Sequence, residues 1–500
     1  MKRMKRLFIL LIVLSSVISL SVFSLASCKK SPGNNTTNEN GNAVTGSVSE
    51  ESTPDNIDPR LSAKDSLPDN LDFGGKNFNI LYPTWSMYVD YYFVENQNGE
   101  VLDDAIYKRQ TDVEERLNVK INYINKGYID KIGPEISKTV KAGIDEYSLA
   151  LTHCIAGIPE LIGNVYDWNK IPYADFSKPW WNQRMNEELS VQNVLLLAVS
   201  DLIIFDPNVI YFNKGMIKDL GLESPYDIVR SGKWTWSKLA DMAKQASKDI
   251  NGDGNWTKED QYGFVTDTGW MMQSALQGCG MTTVTKTDGG ELKLNLKDAR
   301  FGKIIDVLYD LVYDKAVTYL DSWDANNLSV KHESDINMNT NRVLFIIDPL
   351  SAGKRYRAYD VEFGILPFPK LDEEQDGYRS LSWNGFMVIP YTADIEMAGA
   401  VSEALAVESY KYVTPAYYDI ILTSKIARDE ESRDMIDIIY GGACYDFAMN
   451  YTNWAEMSQS VSSILSSKKR DYISYVEKNE TRFMNTLQKA YDKIIDNYVN

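Results

Sequence analysis

Histidine and basic charge are scarce in this chain of 500 residues. The chain has two histidines, His153 and His332, so a histidine-rich metal site is excluded and a histidine-based triad is not expected. Lysine and arginine number 52 against 70 aspartates and glutamates, which gives a net charge of −18. A nucleic-acid-binding surface needs a basic face, so nucleic acid is not an expected partner. The nucleophile motif Gly-x-Ser-x-Gly is also absent, so that signature of a hydrolase is missing.

Aromatic residues, by contrast, are abundant. They make up 12% of the chain and include 31 tyrosines and 11 tryptophans. A hydrophobic core needs fewer aromatic residues than this, so the composition predicts a surface or cleft lined with aromatic rings. The length exceeds that of one ordinary hydrophobic core, which predicts at least two lobes.

The N-terminus reads as an export signal. Four basic residues lie within the first six positions, and the apolar run Leu7 to Ala26 follows. The sequence Leu25-Ala26-Ser27-Cys28 resembles a bacterial lipobox, which implies cleavage before Cys28 and a diacylglyceryl group on its sulfur. Residues 1–27 are therefore predicted to be a lipoprotein signal peptide, with an uncleaved signal anchor as the alternative. The exported chain would be anchored to the outer face of the cytoplasmic membrane.

Residues 28–74 are predicted to be a disordered linker, because much of this stretch is polar and cannot bury enough apolar surface to fold. Three cysteines remain once Cys28 is modified, and an odd number does not form a full disulfide framework. Cys279 and Cys444 both lie in glycine-flanked loops, so a disulfide bond between these two residues stays open as an alternative. We favour three free, mostly buried thiols.

The body alternates strand and helix patterns from about Lys76, which predicts an α/β fold. Apolar residues at helical spacing predict a helix over 102–117 and another containing Leu239 and Met242, capped by Thr235 or Ser237. A last helix has Phe483 and Leu487 on one face. Short apolar or alternating runs predict strands at 78–82, 119–123, 148–152, 209–212, 262–265, 343–347, 361–365 and 386–389.

An acidic loop at 249–260 follows the twelve-residue pattern of calcium-binding loops, with Gly254 at the sharp turn. Its last position has an aspartate where the pattern prefers a glutamate. A turn held by its own Asx side chains is the alternative, and a structural Ca²⁺ and this turn are about equally favoured. The predicted ligands are Asp249, Asn251, Asp253, Asn255, Thr257 and Asp260.

Several segments together resemble a known family. Gly232-Lys-Trp-Thr-Trp-Ser-Lys-Leu-Ala-Asp-Met-Ala, the acidic loop and Asp260-Gln-Tyr-Gly-Phe resemble extracellular solute-binding proteins of family 1. These are the sugar-binding lipoproteins of ABC importers, similar in fold to maltose-binding protein. Tyr211-Phe-Asn-Lys214 resembles the family's strand that enters the second lobe, and Phe386-Met-Val-Ile-Pro390 the strand that returns. The resemblance covers roughly residues 75–460.

The resemblance implies a periplasmic-binding-protein type II fold, with two α/β lobes, crossing hinge strands and a ligand cleft between the lobes. It implies a monomer that needs no cofactor, performs no catalysis and delivers its solute to the permease of an ABC importer. The implied segments are 75–203 and 383–415 for lobe 1, 204–382 for lobe 2, and 416–500 for C-terminal helices on both lobes. Residues 281–340 look like an enlargement of lobe 2.

The candidate ligand residues are rings and hydrogen-bonding groups at predicted strand ends or at predicted crossings between the lobes, because the carboxyl ends of strands face the crevice in such folds. Trp454 is the exception: it lies near the start of a late helix, and the resemblance implies that it corresponds roughly to a sugar-stacking ring of the maltose-type proteins. For any single tryptophan, core packing is the more frequent role. Trp180 and Trp181 are interpreted as structural. The candidates are Trp85, Tyr88, Asp206, Trp270, Asp348, Trp383, Asn384 and Trp454.

Three other functions stay open. An exported glycoside hydrolase would need two carboxylates about 5–10 Å apart, which the sequence cannot locate. A surface adhesion module would use the acidic loop as a dockerin-like contact, but that requires duplicated loops. A binding protein for a peptide or another non-sugar solute is disfavoured only mildly, by the aromatic excess. We favour a binding protein for an oligosaccharide.

Overall fold

The computed structural model describes residues 58–84, 89–287, 290–321, 323–324, 329–330, 338–422 and 430–499. The predicted signal peptide, Cys28 and the first part of the predicted linker lie outside these ranges. So do the candidate ligand residues Trp85 and Tyr88. Within these ranges, no helix combines the length and the apolar character needed to cross a membrane.

Two sheets of four and five strands, together with three two-stranded pairs, account for the strands of the described residues. The strands are β1 Lys76–Thr84, β2 Val119–Tyr128, β3 Leu149–Leu151, β4 Asn208–Asn213, β5 Tyr262–Thr266, β6 Val284–Lys286, β7 Leu292–Leu294, β8 Thr318–Leu320, β9 Trp323–Asp324, β10 Ser329–Val330, β11 Val343–Pro349, β12 Phe363–Leu366, β13 Ser380–Leu381, β14 Met387–Val388 and β15 Ala443–Cys444.

Helices cover both sheets, as the alternating sequence pattern predicts. The α-helices of the described residues are α1 Val89–Tyr92, α2 Val101–Leu117, α3 Ile132–Lys141, α4 Ile158–Leu161, α5 Gln183–Leu189, α6 Lys214–Asp219, α7 Pro225–Arg230, α8 Trp236–Ala246, α9 Trp270–Gln273, α10 Ala275–Gly278, α11 Ala299–Tyr313, α12 Gly353–Tyr356, α13 Ile395–Glu408, α14 Thr414–Leu422, α15 Glu430–Gly441, α16 Phe447–Tyr451, α17 Ser460–Ser466 and α18 Tyr472–Ile494. Two π-helical turns, Ser409–Val413 and Ile495–Val499, follow α13 and α18.

The first sheet has the strand order β14-β3-β1-β2. Strand β1 runs parallel to β2 and β3, whereas β14 pairs antiparallel with β3. The short strand β3 and the middle of β1 are apolar and buried, as Leu149 and Ile80 illustrate at 0% exposure. The strands predicted at 78–82, 119–123 and 148–152 are therefore confirmed.

The second sheet has the strand order β12-β4-β11-β5-β8, and β4 alone runs against its neighbours. The carboxyl ends of β5, β8, β11 and β12 consequently lie at the same edge as the start of β4, where Asn208 stands opposite Pro349. The predicted strands at 209–212, 262–265 and 343–347 are confirmed. The strand predicted at 361–365 is shifted, since pairing with β4 covers 363–366.

The chain crosses between the sheets at these carboxyl edges. It leaves β3, enters the second sheet at the start of β4, and returns from the end of β12 through β13 to β14. On the return, Gly385 passes so close to Thr152 that a Cβ there would lie 1.4 Å from the Thr152 carbonyl oxygen. Only glycine fits this approach, and it leaves Met387 and Val388 as the paired part of the predicted strand at 386–389.

Helix boundaries follow local sequence signals. In α8, Thr235 is the N-cap, and its hydroxyl accepts a hydrogen bond from the Lys238 N–H at 3.2 Å. The buried side of α8 carries Leu239 and Met242, as the spacing predicts. In α2, Asn118 ends the helix in the left-handed conformation at φ 47°.

Residues 58–74 pack against the body, although the sequence predicts a linker up to residue 74. Leu67 is only 6% exposed, and Arg116 forms two hydrogen bonds with the Asp65 carboxylate, at 2.6 and 2.8 Å. The Arg60 guanidinium lies over the rings of Tyr410 and Tyr418. The folded part of the chain therefore begins before Lys76, because these contacts offset the ordering entropy of a polar stretch.

The three described cysteines, Cys154, Cys279 and Cys444, are free and buried. The prediction of buried free thiols is confirmed, and no disulfide joins Cys279 to Cys444. The interpretation of Trp180 and Trp181 as structural also agrees with the structure. Both indoles are 1% exposed.

Candidate functional site

Three of the candidate tryptophans come together, although they are far apart in the sequence. The ring centroids of Trp383 and Trp454 lie 4.5 Å apart at an interplanar angle of 35°. Trp270 stands edge-on to Trp383, with centroids 5.1 Å apart and an angle of 65°. The Trp270 and Trp454 centroids are 6.3 Å apart. We call these three rings the indole cluster.

The topology explains why the indole cluster forms at this place. Trp270 begins α9, shortly after the carboxyl end of β5. Trp383 lies on the returning connection between β13 and β14. Trp454 follows α16, which belongs to the C-terminal helices. Two strand ends and one helix end thus meet where the chain crosses between the sheets, which is where ligands bind in open α/β folds.

Hydrogen bonds fix the cluster's orientation. The Trp383 indole N–H donates to the Ser274 hydroxyl at 3.1 Å, so this N–H is already paired within the protein. The Asn208 side-chain amide donates to Ser274 Oγ at 3.2 Å and to the Trp270 carbonyl at 3.3 Å. Asn208 opens β4, so the crossing strand itself holds both partly exposed rings in place.

Trp454 differs from the other two rings because it is only 2% exposed. Its backbone φ is 56°, and that of Asn453 is 52°, which are uncommon left-handed values for residues other than glycine. The Asn453 side chain accepts a hydrogen bond from the Ile158 N–H at 3.1 Å, which ties the turn to α4. Within the described residues, the Trp454 indole N–H has no hydrogen-bond partner. A buried donor left unpaired is costly, and this one lies against the partly exposed rings.

Asp206 and Asn384 join the two crossing connections. The Asp206 N–H donates to Asn384 Oδ1 at 2.9 Å, and Asn384 Nδ2 donates to the Ile204 carbonyl. Asp206 Oδ1 accepts from the Ser351 N–H at 2.7 Å and from the Tyr417 hydroxyl at 3.3 Å. Both side chains thus make contacts within the protein, beside the neighbouring Trp383.

The Asp206 carboxyl nevertheless keeps one oxygen unused. Asp206 is 1% exposed, and its Oδ2 has no hydrogen-bond partner in the described part of the chain. Burial raises the pKa of Asp206 to about 6, against the hydrogen bonds that favour the ionised form.

Asp348 is the second-last residue of β11, and its carboxylate is bound by residues of α12. The Arg355 guanidinium lies 2.6 Å from Asp348 Oδ2, and the Tyr356 hydroxyl donates to the same oxygen. Asp348 is 2% exposed, so the pair is largely removed from water on the carboxylate side. These contacts hold α12 against the end of β11.

Sequence reasoning missed several groups near the indole cluster. Ser274 and Asn208 carry no signal that separates them from other polar residues. The loop after β3 brings Cys154 to the cluster, where its thiol donates to the Trp383 carbonyl at 3.0 Å. The adjacent His153 is 4% exposed, and burial lowers its pKa to about 3, so its imidazole is neutral at physiological pH.

The acidic loop is closed by its own hydrogen bonds. The two Asp249 carboxylate oxygens accept from the N–H groups of Gly252 at 2.7 Å and Gly254 at 2.8 Å. Asp260 Oδ2 accepts from the Thr257 N–H at 2.8 Å, and hydrogen bonds of this kind lower the pKa of Asp260. No group of three or more histidine, cysteine, aspartate or glutamate side chains placed to hold a metal ion occurs among the described residues. The Ca²⁺ assignment stays a prediction.

Comparison with solved structures gives the class of fold. The chain is similar to the galacto-N-biose/lacto-N-biose I-binding protein of the ABC transporter from Bifidobacterium longum, in complex with lacto-N-biose. The TM-score is 0.56 at 12% identity, over 83% of this chain and 98% of that one. It is also similar to the GacH receptor of Streptomyces glaucescens, whose structures include a complex with acarbose. There the TM-score is 0.53 at 12% identity, over 82% and 99% of the two chains.

A third similar structure is a sugar transporter from Rhizobium etli in an open conformation, with a TM-score of 0.52 at 14% identity, over 83% of this chain and 98% of that one. No protein-family profile and no curated protein sequence matches the chain. At these identities the similarity establishes the fold, which is the two-lobe α/β fold of ABC-transporter solute-binding proteins. The predicted fold class is confirmed. Lobe 1 denotes the part of the chain built on the first sheet, and lobe 2 the part built on the second sheet.

Proposed function

We propose that this protein is an extracellular solute-binding protein that holds a neutral carbohydrate between its lobes and delivers it to an ABC importer. The observation that carries the proposal is the indole cluster, which stands at the carboxyl edges where the chain crosses between the lobes. Two of its rings are partly exposed, and rings are the groups that pack against the C–H faces of sugars. The similar structures, which include complexes with lacto-N-biose and acarbose, support the same class of ligand.

The polar groups near the cluster suit a neutral ligand with hydroxyl groups. Asp206 Oδ2 is a buried acceptor, and the Trp454 indole N–H is a buried donor. A sugar hydroxyl can pair with either one, because it both donates and accepts. An anionic ligand fits less well, since a buried aspartate beside the cluster would repel it.

The N-terminal sequence supports attachment to the membrane through a lipid on Cys28. The exported part of the chain would then be a monomer at the outer face of the cytoplasmic membrane, close to its permease. An acidic protein is not attracted to an anionic membrane surface, so a lipid anchor provides retention that charge does not. No catalytic role is assigned to the cluster, because its hydrogen bonds serve to position rings.

Binding can be tested with a thermal-shift panel of neutral oligosaccharides, with peptides as the comparison class. Ligand at about 100 times its dissociation constant stabilises the folded state by about 2.7 kcal/mol. We expect a shift with at least one oligosaccharide and none with peptides. A shift with peptides alone would contradict the sugar assignment, and no shift with any solute would contradict the binding function.

The site itself can be tested by substitution and titration. Trp383→Ala and Trp270→Ala should each weaken sugar binding by about tenfold or more, equivalent to about 1.4 kcal/mol of binding free energy. Trp256→Ala is the matched control, because Trp256 is also partly exposed but lies within the acidic loop, where its ring packs on Tyr262. Calorimetric titration measures the affinities. An equal loss of sugar affinity in all three variants would contradict a binding site at the indole cluster.

A further inference from the structure

The last helical segment of the chain contacts both lobes. Helix α18 comprises 23 residues and continues directly into the π-helical turn Ile495–Val499. At about 1.5 Å per residue, α18 alone is about 34 Å long. Its buried residues form one stripe along the helix: Val476, Phe483, Leu487, Ala490, Tyr491 and Ile494.

The N-terminal half of α18 is attached to lobe 2. The ring of Tyr472 packs edge-on against Phe301 of α11, with centroids 5.5 Å apart. Glu480 forms an ion pair with Lys297 at 2.5 Å, just before α11 begins. Helix α11 packs against α8 and β8, which belong to the second sheet and its cover. This half of α18 therefore moves with lobe 2.

The C-terminal end is attached to lobe 1. The Tyr498 hydroxyl donates to the Val165 carbonyl at 2.8 Å and accepts from the Gly163 N–H at 2.8 Å. Its ring lies nearly parallel to that of Tyr391, with centroids 6.2 Å apart and an angle of 27°. Val165 bridges to Pro390, directly after β14, so all these partners belong to the first sheet's lobe.

A helix fixed at both ends constrains any rotation of one lobe relative to the other. An α-helix is stiff because each turn is hydrogen-bonded to the next. When the lobes rotate about the crossing connections, the two attachments cannot both keep their geometry. One attachment has to separate when the lobes open.

The π-helical end is the weaker attachment. None of its residues is buried, whereas Val476 and Phe483 are buried in the first half of α18. Its polar contacts with lobe 1 centre on the Tyr498 hydroxyl. A π-helical turn is also rare in proteins.

We propose that α18 is a strap that holds the two lobes in the closed arrangement, and that its π-helical end detaches from lobe 1 when the lobes open. The inference rests on the proposed function, since the strap has a role only if the lobes move around a solute. Its test is carried out without any solute, so that its outcome does not depend on sugar binding. If no oligosaccharide binds, the proposal that α18 is a strap still stands. If the strap test gives a negative result, the proposal of sugar binding still stands.

The test measures the distance between the lobes in ligand-free protein. Labels can be attached at Ile144→Cys in lobe 1 and Leu220→Cys in lobe 2, where the native residues are 52% and 42% exposed. The native thiols of the folded body are buried and do not compete for the label. Cys28→Ser removes the remaining one. Electron-electron double resonance then reports the distribution of distances.

The variants are Tyr498→Phe, which removes only the hydroxyl, and Tyr498→Ala, which removes the ring as well. Loss of two hydrogen bonds should shift the ratio of closed to open molecules by about tenfold to a hundredfold. Both variants should therefore have longer interlobe distances than the unsubstituted protein. Tyr166→Phe is the matched control, because the Tyr166 hydroxyl donates to the Tyr391 carbonyl within lobe 1.

Hydrogen exchange identifies the end that detaches. We expect faster exchange at 495–499 than at 472–480 in the unsubstituted, ligand-free protein. Identical distance distributions in the Tyr498 variants and the control would overturn the strap. Faster exchange at 472–480 would overturn the assignment of the released end.

Discussion

The buried carboxyl of Glu403 allows a sharp test of how burial and hydrogen bonding compete in this fold. Glu403 lies on α13 and is 0% exposed. Its two carboxyl oxygens accept the indole N–H groups of Trp180 at 2.9 Å and Trp181 at 2.7 Å. The Asp175 N–H adds a third, longer hydrogen bond at 3.3 Å. The carboxyl thus pins the turn at 175–181 to the helix.

Burial raises the pKa of Glu403 from its ordinary 4.5 to about 7, and the three donors oppose this shift. A pKa that is raised in the folded state adds stability below the unfolded value, and this contribution is lost as the pH rises through the folded value. The shift corresponds to about 3 kcal/mol of unfolding free energy, present below about pH 4.5 and lost by about pH 8.

Glu403→Gln replaces one acceptor oxygen with an NH₂ group, which cannot accept an indole N–H. One buried donor then loses its partner, which costs about 1–3 kcal/mol at about pH 5. At about pH 8 the cost should shrink towards zero, because the unsubstituted protein has itself lost the contribution of its neutral carboxyl. Urea unfolding at a series of pH values measures both free energies.

Glu396→Gln is the matched control, since Glu396 is exposed on the same helix. It should change the unfolding free energy little at any pH. If Glu403→Gln destabilised the protein more at about pH 8 than at about pH 5, the ionised carboxylate would be the favoured form. The argument that burial dominates would then be wrong.

Two further predictions concern the crossing connections and the acidic loop. Asn384→Ala removes the partners of the Asp206 N–H and the Ile204 carbonyl, and should lower the urea unfolding free energy by about 2–4 kcal/mol. An unchanged midpoint of urea unfolding would show that Asn384 does not stabilise the connections between the two sheets. If Ca²⁺ occupies the acidic loop, a chelator should lower the melting temperature of the protein, and Asp249→Ala should abolish that response. An unchanged melting temperature with chelator would refute the calcium prediction.

The elements that could be predicted from the sequence are those whose signals are local. The apolar spacing of residues 102–117 and the Thr235 N-cap are signals carried by residues close together in the sequence. The corresponding helices, α2 and α8, form where they are predicted. The short apolar strands of both sheets are equally local. The exact ends of β12 and β14 were not predictable, because pairing with β4 and β3 decides them.

The candidate site, too, has features that could be predicted from the sequence and features that only the structure shows. A strand end indicated Trp270, a predicted lobe crossing indicated Trp383, and the family resemblance indicated Trp454, and the structure brings the three rings into contact. Their contact was not predictable, since nothing in the sequence relates residues so distant. Asp206 and Asn384 were predicted as ligand residues, but their partners in the folded chain are largely each other and nearby backbone. The ligand roles of all these residues stay predictions.

The sequence by itself determined the class of architecture, since alternating periodicities of strand and helix are properties of neighbouring residues. An export signal and the lack of a histidine-rich metal site are also predictions that rest on composition and position alone. Tertiary structure decided which rings meet, which carboxyls are buried, and that α18 contacts both lobes. These features depend on contacts between residues tens to hundreds of positions apart in the sequence, and only the tertiary structure specifies such contacts.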